Sequence, residues 1–198
     1  MGSIHKSRLF ALTVTLAVVG MALFAYGASA THRVRKAVLR DVNKKVVGRI
    51  VFTSHRDGVL VAVSVSGLSA GFHGFHIHAN NDPANGAGCF PPEAALPATF
   101  VSVDGHFNTT TGTHGMHSGD MPVLLAMTNG RAEASFVTDR FKLADIGARA
   151  VIVHAGSNNY GNIPVGTGPN DYTPGATALA MTQATGNAGA RIVCGDIE

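Results

Sequence analysis

Charged side chains are scarce in this chain. Asp, Glu, Lys and Arg make up 14% of its 198 residues, well below the roughly 25% usual in globular domains. Cysteine is nearly absent, with only Cys89 and Cys194. No basic run interleaved with aromatic residues is present, so nothing in the sequence favours nucleic-acid binding. Internal repeats and a convincing amphipathic helical pattern are also missing after residue 30, which argues against repeat and helical-bundle architectures.

The first thirty residues predict a secretion signal. Lys6 and Arg8 lie in a short basic region, residues 9–24 form an uncharged apolar run, and residues 28–30 match a small-residue cleavage pattern. An uncleaved signal anchor is the alternative, because the run is long for a signal peptide and short for a membrane span. We therefore predict a leader over 1–30, one domain over 31–198, and a secreted, periplasmic or cell-envelope protein without further membrane-binding features.

Loss of the leader changes the interpretation of charge and of the cysteines. It removes Lys6 and Arg8, two of the 15 basic residues, and leaves 13 against 12 acidic residues. The mature chain is then nearly neutral. In an oxidising compartment the cysteine pair favours one disulfide, whereas two buried free thiols are expected if the leader is absent.

Short β signals dominate the mature chain. Asp57-Gly58 and Asn129-Gly130 are turn dipeptides that predict hairpins, and two long Gly-, Asn-, Pro- and Thr-rich loops cover residues 79–121 and 155–190. The predicted strands cover 34–39, 46–53, 59–65, the segment around 76–78, 122–128, 131–137, 148–154 and 191–194. The fold class is therefore all-β: an eight-stranded antiparallel Greek-key barrel or sandwich, immunoglobulin-like, with two long functional loops.

Two histidines two residues apart suggest half of a metal site. His76 and His78 lie in an apolar, β-favouring context, and residues i and i+2 of a strand point to the same face. Paired neutral imidazoles suit copper or zinc. A solvent-facing pair is the simpler interpretation when such a motif stands alone.

Further metal-capable side chains downstream favour the metal site. His106, His114, His117 and Asp120 occur within fifteen residues of a loop, and three histidines with a carboxylate can complete a tetrahedral zinc site. A polar loop with coincidental histidines is the alternative. His154 ends an apolar strand, where an unsatisfied imidazole would be costly.

Five motifs in order carry a family resemblance. They are GFHGFHIH from residue 71, GHFN from 105, HSGD from 117, VIVHAG from 151 and GNAGARIVCG from 186. Over residues 34–197 the chain resembles the copper/zinc superoxide dismutases of the secreted bacterial type. The resemblance implies a Greek-key barrel, a Cys89–Cys194 disulfide, and a second shell that includes His73 and Asn158.

The resemblance also implies the metal ligands and their roles. Copper would be bound by His76, His78, His106 and His154, and zinc by His106, His114, His117 and Asp120. His106 would bridge the metals and deliver a proton, and Arg191 would attract the anion, for which a guanidinium is suited. The implied activity is disproportionation of superoxide to oxygen and hydrogen peroxide by Cu(II)/Cu(I) cycling, with zinc structural or missing, and a homodimer is compatible with it. A non-catalytic copper-binding or copper-delivery module is the alternative function.

Three departures from the family pattern generate expectations. His114 and His117 are only three residues apart, so zinc is less secure than copper. Asn158 replaces the usual aspartate that links the metal sites, so weaker coupling is expected. Asp171 is the only charged residue between His154 and Arg191, so superoxide capture should be slower and depend less on salt.

Overall fold

The computed structural model describes residues 33–90, 99–160 and 176–198, with the side chain of residue 176 excepted. The predicted leader and Asp171 lie outside the described residues, and the division into leader and domain remains a prediction. Among the described residues, no helix combines the length and apolar character needed to cross a membrane.

The described part of the chain contains nine strands and one α-helix. The strands are β1 (Val34–Asp41), β2 (Val46–His55), β3 (Gly58–Val65), β4 (Gly71–His73), β5 (Phe75–His78), β6 (Leu124–Ala126), β7 (Ala132–Thr138), β8 (Ala150–His154) and β9 (Arg191–Asp196), and the helix is α1 (Ala176–Thr185). Short 3₁₀ turns occur at Pro83–Asn85 and Val101–Val103. All eight predicted strand regions are found, and the segment around His76 is divided into β4 and β5.

The strands form one curled antiparallel sheet and a small ribbon. The sheet order is β5-β8-β9-β1-β2-β3-β7, and β4 pairs with β6. Strands distant in sequence are therefore neighbours, since β1 lies beside β9. The predicted antiparallel Greek-key class is confirmed.

The two predicted hairpins have different outcomes. At Asp57-Gly58 the chain turns from β2 into β3, which pair from Gly48 opposite Val65 to His55 opposite Gly58. At Asn129-Gly130 the turn is also present, because the Met127 N–H donates to the Arg131 carbonyl at 2.8 Å. After this turn the two strands separate: β6 pairs with β4, whereas β7 pairs with β3.

Alternating residues of β1, β2 and β3 build the main core. Leu39, Ile50, Phe52 and Val61 are fully buried, while their sequence neighbours face outward, as expected for a sheet with one solvated face. The strand-period pattern of the sequence therefore determines which face of this part of the sheet is buried.

Strands β5 and β8 are buried on both faces. Every residue of both strands is buried, which explains why their sequences are continuously apolar or histidine-rich rather than alternating. Val151 and Val153 pack in the main core, whereas Ala150 and Ile152 pack in a second cluster beside Cys89 and Cys194. The long loop after β5 covers the outer face of these strands.

The prediction that residues 155–190 lack a helix is wrong over α1. Four of its ten residues are Ala, and Leu179, Met181 and Gln183 are also good helix formers, but the segment has no apolar stripe and is mostly exposed. Gly186 ends the helix at a φ of +63°. The Gly186 and Asn187 N–H groups donate to the Thr182 and Met181 carbonyls, a common helix C-terminal arrangement.

The predicted disulfide between Cys89 and Cys194 is confirmed. It links the first long loop to β9, with the two Cα atoms 5.7 Å apart and a sequence separation of 105 residues. Cys194 lies opposite Ile152 of β8. The bridge therefore ties the loop to the strand pair that carries His154.

Replacing both Cys89 and Cys194 with Ser should lower the free energy of unfolding by about 4–5 kcal/mol, because the closed loop is long. Urea unfolding of the oxidised protein and the variant, both metal-free, measures this difference. A difference near zero would show that the unfolded loop is already restrained by other contacts.

Candidate metal centre

Strand β5 places two histidines on one face. Phe75 and Ile77 point into the main core, whereas His76 and His78 lie on the opposite face and are fully buried. On one side β5 pairs with β8, with His76 opposite Ile152. The side-by-side arrangement predicted from the two-residue spacing is present, and the site lies outside the main core.

The loop over residues 105–121 binds to the other edge of β5. The Ile77 N–H donates to the Gly119 carbonyl at 2.9 Å, and the Phe107 N–H donates to the Ile77 carbonyl at 2.8 Å. Isolated bridges pair His76 with Asp120 and His78 with His106. These backbone bonds bring the loop ligands to the strand ligands.

A first cluster contains the four residues that the resemblance assigns to copper. One donor nitrogen from each of four histidines lies within 4.8 Å of the others: His76, His78, His106 and His154. All four are at most 8% exposed. Such a group of neutral imidazoles in one buried place suits copper or zinc.

The free ring nitrogens of this cluster point to a missing partner. His78 Nδ1 donates to the Asp104 carbonyl at 2.8 Å, and His154 Nδ1 donates to the Gly189 carbonyl at 3.0 Å. The Nε2 atoms of both rings are buried without a hydrogen-bond partner, as are His106 Nε2 and both ring nitrogens of His76. Unpaired buried nitrogens are costly, and a metal ion would satisfy one nitrogen of each of the four rings. The residues present therefore fit copper.

A second cluster surrounds Asp120. Its Oδ1 lies 2.8 Å from His106 Nδ1 and 3.3 Å from His114 Nδ1. His117 Nδ1 lies 3.6 Å from Asp120 Oδ2 and 3.4 Å from His106 Nδ1. One set of donor atoms within 4.8 Å of one another contains His76, His106, His114 and Asp120, and His117 is not part of it. Three Nδ1 atoms and a carboxylate are a suitable donor set for zinc.

The short spacing of His114 and His117 does not keep them apart. The Gly115 and His117 N–H groups both donate to Asp120 Oδ2, at 2.7 and 3.0 Å. Gly115 has a φ of +93°, which glycine adopts readily. The chain therefore wraps tightly around the carboxylate, and both imidazoles face it.

Burial sets the protonation states. It lowers the pKa values of His76, His78, His106 and His117, and it lowers the pKa of His154 to about 4. Burial alone would raise the pKa of Asp120, but the hydrogen bond from His106 and the nearby His114 ring outweigh it and hold that pKa well below its usual range. Near neutral pH the cluster therefore combines neutral imidazoles with a carboxylate, the forms that bind metals.

Comparison with known proteins agrees with this site. Residues 46–197 match the sequence model of the family described as copper/zinc superoxide dismutase. The chain belongs to the copper/zinc superoxide dismutase family. It is 34% identical over 164 residues to the superoxide dismutase (Cu-Zn) of Mycolicibacterium paratuberculosis, covering 79% of this chain and 70% of that one.

Brucella abortus provides a relative of similar length and a similar structure. The chain is 30% identical over 203 aligned positions to its superoxide dismutase (Cu-Zn), covering 98% and 99% of the two chains. The solved Cu/Zn superoxide dismutase from Brucella abortus superposes with a TM-score of 0.62 at 25% identity, covering 84% of this chain and 100% of that one. This protein is therefore an enzyme of the superoxide dismutase family, with copper and zinc as its cofactors.

Arg191 is held at the start of β9, opposite His154 in the ladder. Its Nη1 donates to the Phe100 carbonyl at 2.5 Å and its Nη2 to the Asp104 carbonyl at 2.6 Å. Burial lowers its pKa, but a guanidinium stays charged at any ordinary pH. Arg191 also lines a cavity of about 290 Å³, together with the neutral residues Thr99, Val101, Gly189 and Ala190.

His73 and Asn158, which the resemblance places beside the metal ligands, differ in their contacts. His73 Nδ1 lies 2.7 Å from the His154 carbonyl and its Nε2 2.9 Å from the Ser69 carbonyl, so it contacts backbone. Asn158 Oδ1 is buried without a partner, while its Nδ2 donates to the Tyr160 hydroxyl at 3.4 Å. Among the described residues, therefore, no imidazole donates a hydrogen bond to Asn158 Oδ1.

Three residues near the clustered histidines were not identified from the sequence: Gly74, Tyr160 and Gly186. Tyr160 stacks on His114 with ring centroids 5.7 Å apart. A Cβ on Gly186 would lie 2.4 Å from His114 Nε2, and one on Gly74 would lie 2.5 Å from Asn158 Oδ1. The Gly-Asn pair after a helix-forming segment was an available signal for Gly186, whereas no local pattern indicates the other two.

The metal-free protein should lose stability as the pH falls from about 6.5 to about 4. In this range His154 of the unfolded chain takes up a proton, whereas folded His154, with a pKa of about 4, does not. Urea unfolding of the metal-free protein at pH 7.5, 6.0 and 5.0 measures the slope. A flat profile would mean that folded His154 titrates as an exposed imidazole does.

Proposed function

We propose that this superoxide dismutase holds copper through one ring nitrogen of His76 and the Nε2 atoms of His78, His106 and His154. The observation that carries this assignment is the convergence of four histidines, each with a buried ring nitrogen that has no hydrogen-bond partner. The carbonyl contacts at the opposite nitrogens of His78 and His154 support it, because they leave Nε2 unprotonated in the neutral ring.

Zinc is assigned to the Nδ1 atoms of His106, His114 and His117 with Asp120. His106 is the residue shared by both sets, since its Nδ1 faces Asp120 and its Nε2 faces the copper set. The ring centroids of His106 and His76 lie 4.0 Å apart. A single buried imidazole therefore separates the two positions, and its bond to Asp120 sets its orientation.

Bound copper, by changing between two oxidation states, supplies the electron-transfer chemistry of superoxide disproportionation. Arg191 binds and orients the superoxide anion through its positive charge. Its two backbone hydrogen bonds restrict the guanidinium to one position. His106 Nε2, when copper does not occupy it, is the proposed position at which a proton is held before its transfer to the product. Without zinc, the His106 Nδ1 lies 2.8 Å from Asp120 Oδ1, which restricts rotation of the ring.

Two further expectations belong to this proposal. Export to an oxidising compartment is supported by the disulfide, because such bonds rarely persist in the cytosol. A homodimer is supported by Phe72 of β4 and Leu125 of β6, which pair directly and are 54% and 56% exposed. This apolar pair is the surface that a second copy would cover.

Replacing His117 with Ala should lower the zinc content and leave copper largely bound, because His117 is not one of the four histidines whose ring nitrogens converge in the copper group. Elemental analysis of the purified, oxidised protein, with a dismutation assay on the same sample, measures both. His55→Ala, at an exposed position, is the matched control. Equal loss of copper would contradict the division of ligands, and a native protein with copper but no activity would contradict the enzyme assignment.

Replacing Arg191 with Ala should reduce activity about 10-fold or more at unchanged metal content, because a preorganised anion-binding donor is lost. Arg191→Lys keeps the positive charge but not the forked N–H donors of a guanidinium. Its activity should therefore lie between those of the native protein and Arg191→Ala. Arg131→Ala, which removes an exposed positive charge, should leave activity unchanged. Activity in Arg191→Ala equal to that of the native protein would remove the anion role.

A further inference from the structure

The backbone of Asp104 has an unusual conformation beside the copper cluster. Its φ is 61° and its ψ is −157°, a region that is essentially restricted to glycine. A residue with a side chain persists there only when its surroundings hold it. Asp104 lies two residues before His106, at the end of the 3₁₀ turn over Val101–Val103.

The side chain of Asp104 is held by a neighbouring turn. Its Oδ2 accepts the N–H groups of Asn81 and Asp82, at 2.7 and 2.8 Å, and its Oδ1 accepts Asn85 Nδ2 at 2.8 Å. These donors outweigh the effect of burial and lower the pKa of the carboxyl below its ordinary value. The turn that supplies them lies between β5 and Cys89, so it belongs to the loop that the disulfide ties down.

The carbonyl of Asp104 contacts two functional residues. It accepts His78 Nδ1 at 2.8 Å and Arg191 Nη2 at 2.6 Å. The first bond determines which nitrogen of His78 is left for the metal, and the second fixes the guanidinium. Rotation of this one peptide group would disturb both at once.

We propose that Asp104 is a positioning residue: its carboxylate, clamped by the 81–85 turn, holds the backbone so that its carbonyl orients His78 and Arg191. The proposal rests on the proposed roles of those two residues. A general structural role would act on the whole loop. The proposed role acts through one carbonyl and the two hydrogen bonds that it accepts, from His78 Nδ1 and Arg191 Nη2. A clamp is needed here because the backbone conformation is otherwise unfavourable.

The first test uses the metal-free protein, so that it does not depend on copper binding. Asp104→Gly removes the clamp but suits the backbone conformation, and the 81 and 82 donors are at exposed positions where water can replace the carboxylate. Nitrogen-15 NMR of the buried ring N–H groups should show the His78 Nδ1–H signal shifted and exchanging about 10-fold faster with water. The His154 Nδ1–H signal, bound to Gly189, is the internal control and should not move.

Conservative and neighbouring variants distinguish loss of the Asp104 clamp from a general loss of stability in the loop. Asp104→Asn keeps an acceptor for the two backbone N–H groups and should restore the native His78 signal. Asp82→Ala removes another carboxylate of the same turn, which accepts only within that turn, from the Ala84 N–H and the Asn85 amide, and should leave the signal unchanged. Asn85→Ala removes one of the three donors and should shift the signal in the same direction but less, which keeps a test available if Asp104→Gly does not fold.

The copper-loaded protein supplies the second readout. Asp104→Gly should alter the Cu(II) electron paramagnetic resonance spectrum and weaken azide binding about 10-fold, the lower end of what orienting partners of metal ligands contribute. An unchanged His78 signal with unchanged azide affinity would overturn the proposal. Failure of the native protein to bind copper would instead overturn the proposed function, while the metal-free NMR result would still decide the role of Asp104.

Discussion

The pairing of the 105–121 loop with the free edge of β5 is the interaction on which the rest of the site depends. β8 occupies one edge of this strand, and the loop occupies the other through Ile77 and Phe107. Without these backbone bonds, His76 and His78 would be two histidines on an edge strand. With them, residues separated by up to 44 positions, as His76 and Asp120 are, share one buried volume, and the edge is protected from other chains.

This arrangement is costly in the absence of metal. Eight buried side-chain nitrogen or oxygen atoms have no partner among the described residues, and seven of them belong to the clustered histidines. A well-packed protein satisfies nearly all of its buried polar groups, so the cost indicates a group that the folded chain is built to receive. Metal binding and folding are therefore linked, and both require neutral imidazoles.

The restraints around the site act mainly on segments with no regular secondary structure. The disulfide, the Asp104 carboxylate and the Arg191 guanidinium all hold the first long loop to β9 or to its own turns. On the opposite side, the end of α1 lies against His114 through Gly186. The loops of this superoxide dismutase are therefore ordered by polar contacts and one covalent bond rather than by a large apolar core of their own.

By itself, the sequence determined the strand regions, the disulfide partners and the identity of the clustered histidines, but it did not indicate α1 within the second predicted loop. Strand alternation is a local property with a period of two, and the histidine motifs are short and close to strand ends. Both can therefore be recognised from the sequence. The tertiary structure alone decided that β6 and β7 separate after the Asn129 turn and that Tyr160 stacks on His114. It also decided that the carbonyl of Asp104 contacts both His78 and Arg191. These features depend on backbone direction and on contacts between distant residues, which no local pattern of side chains encodes.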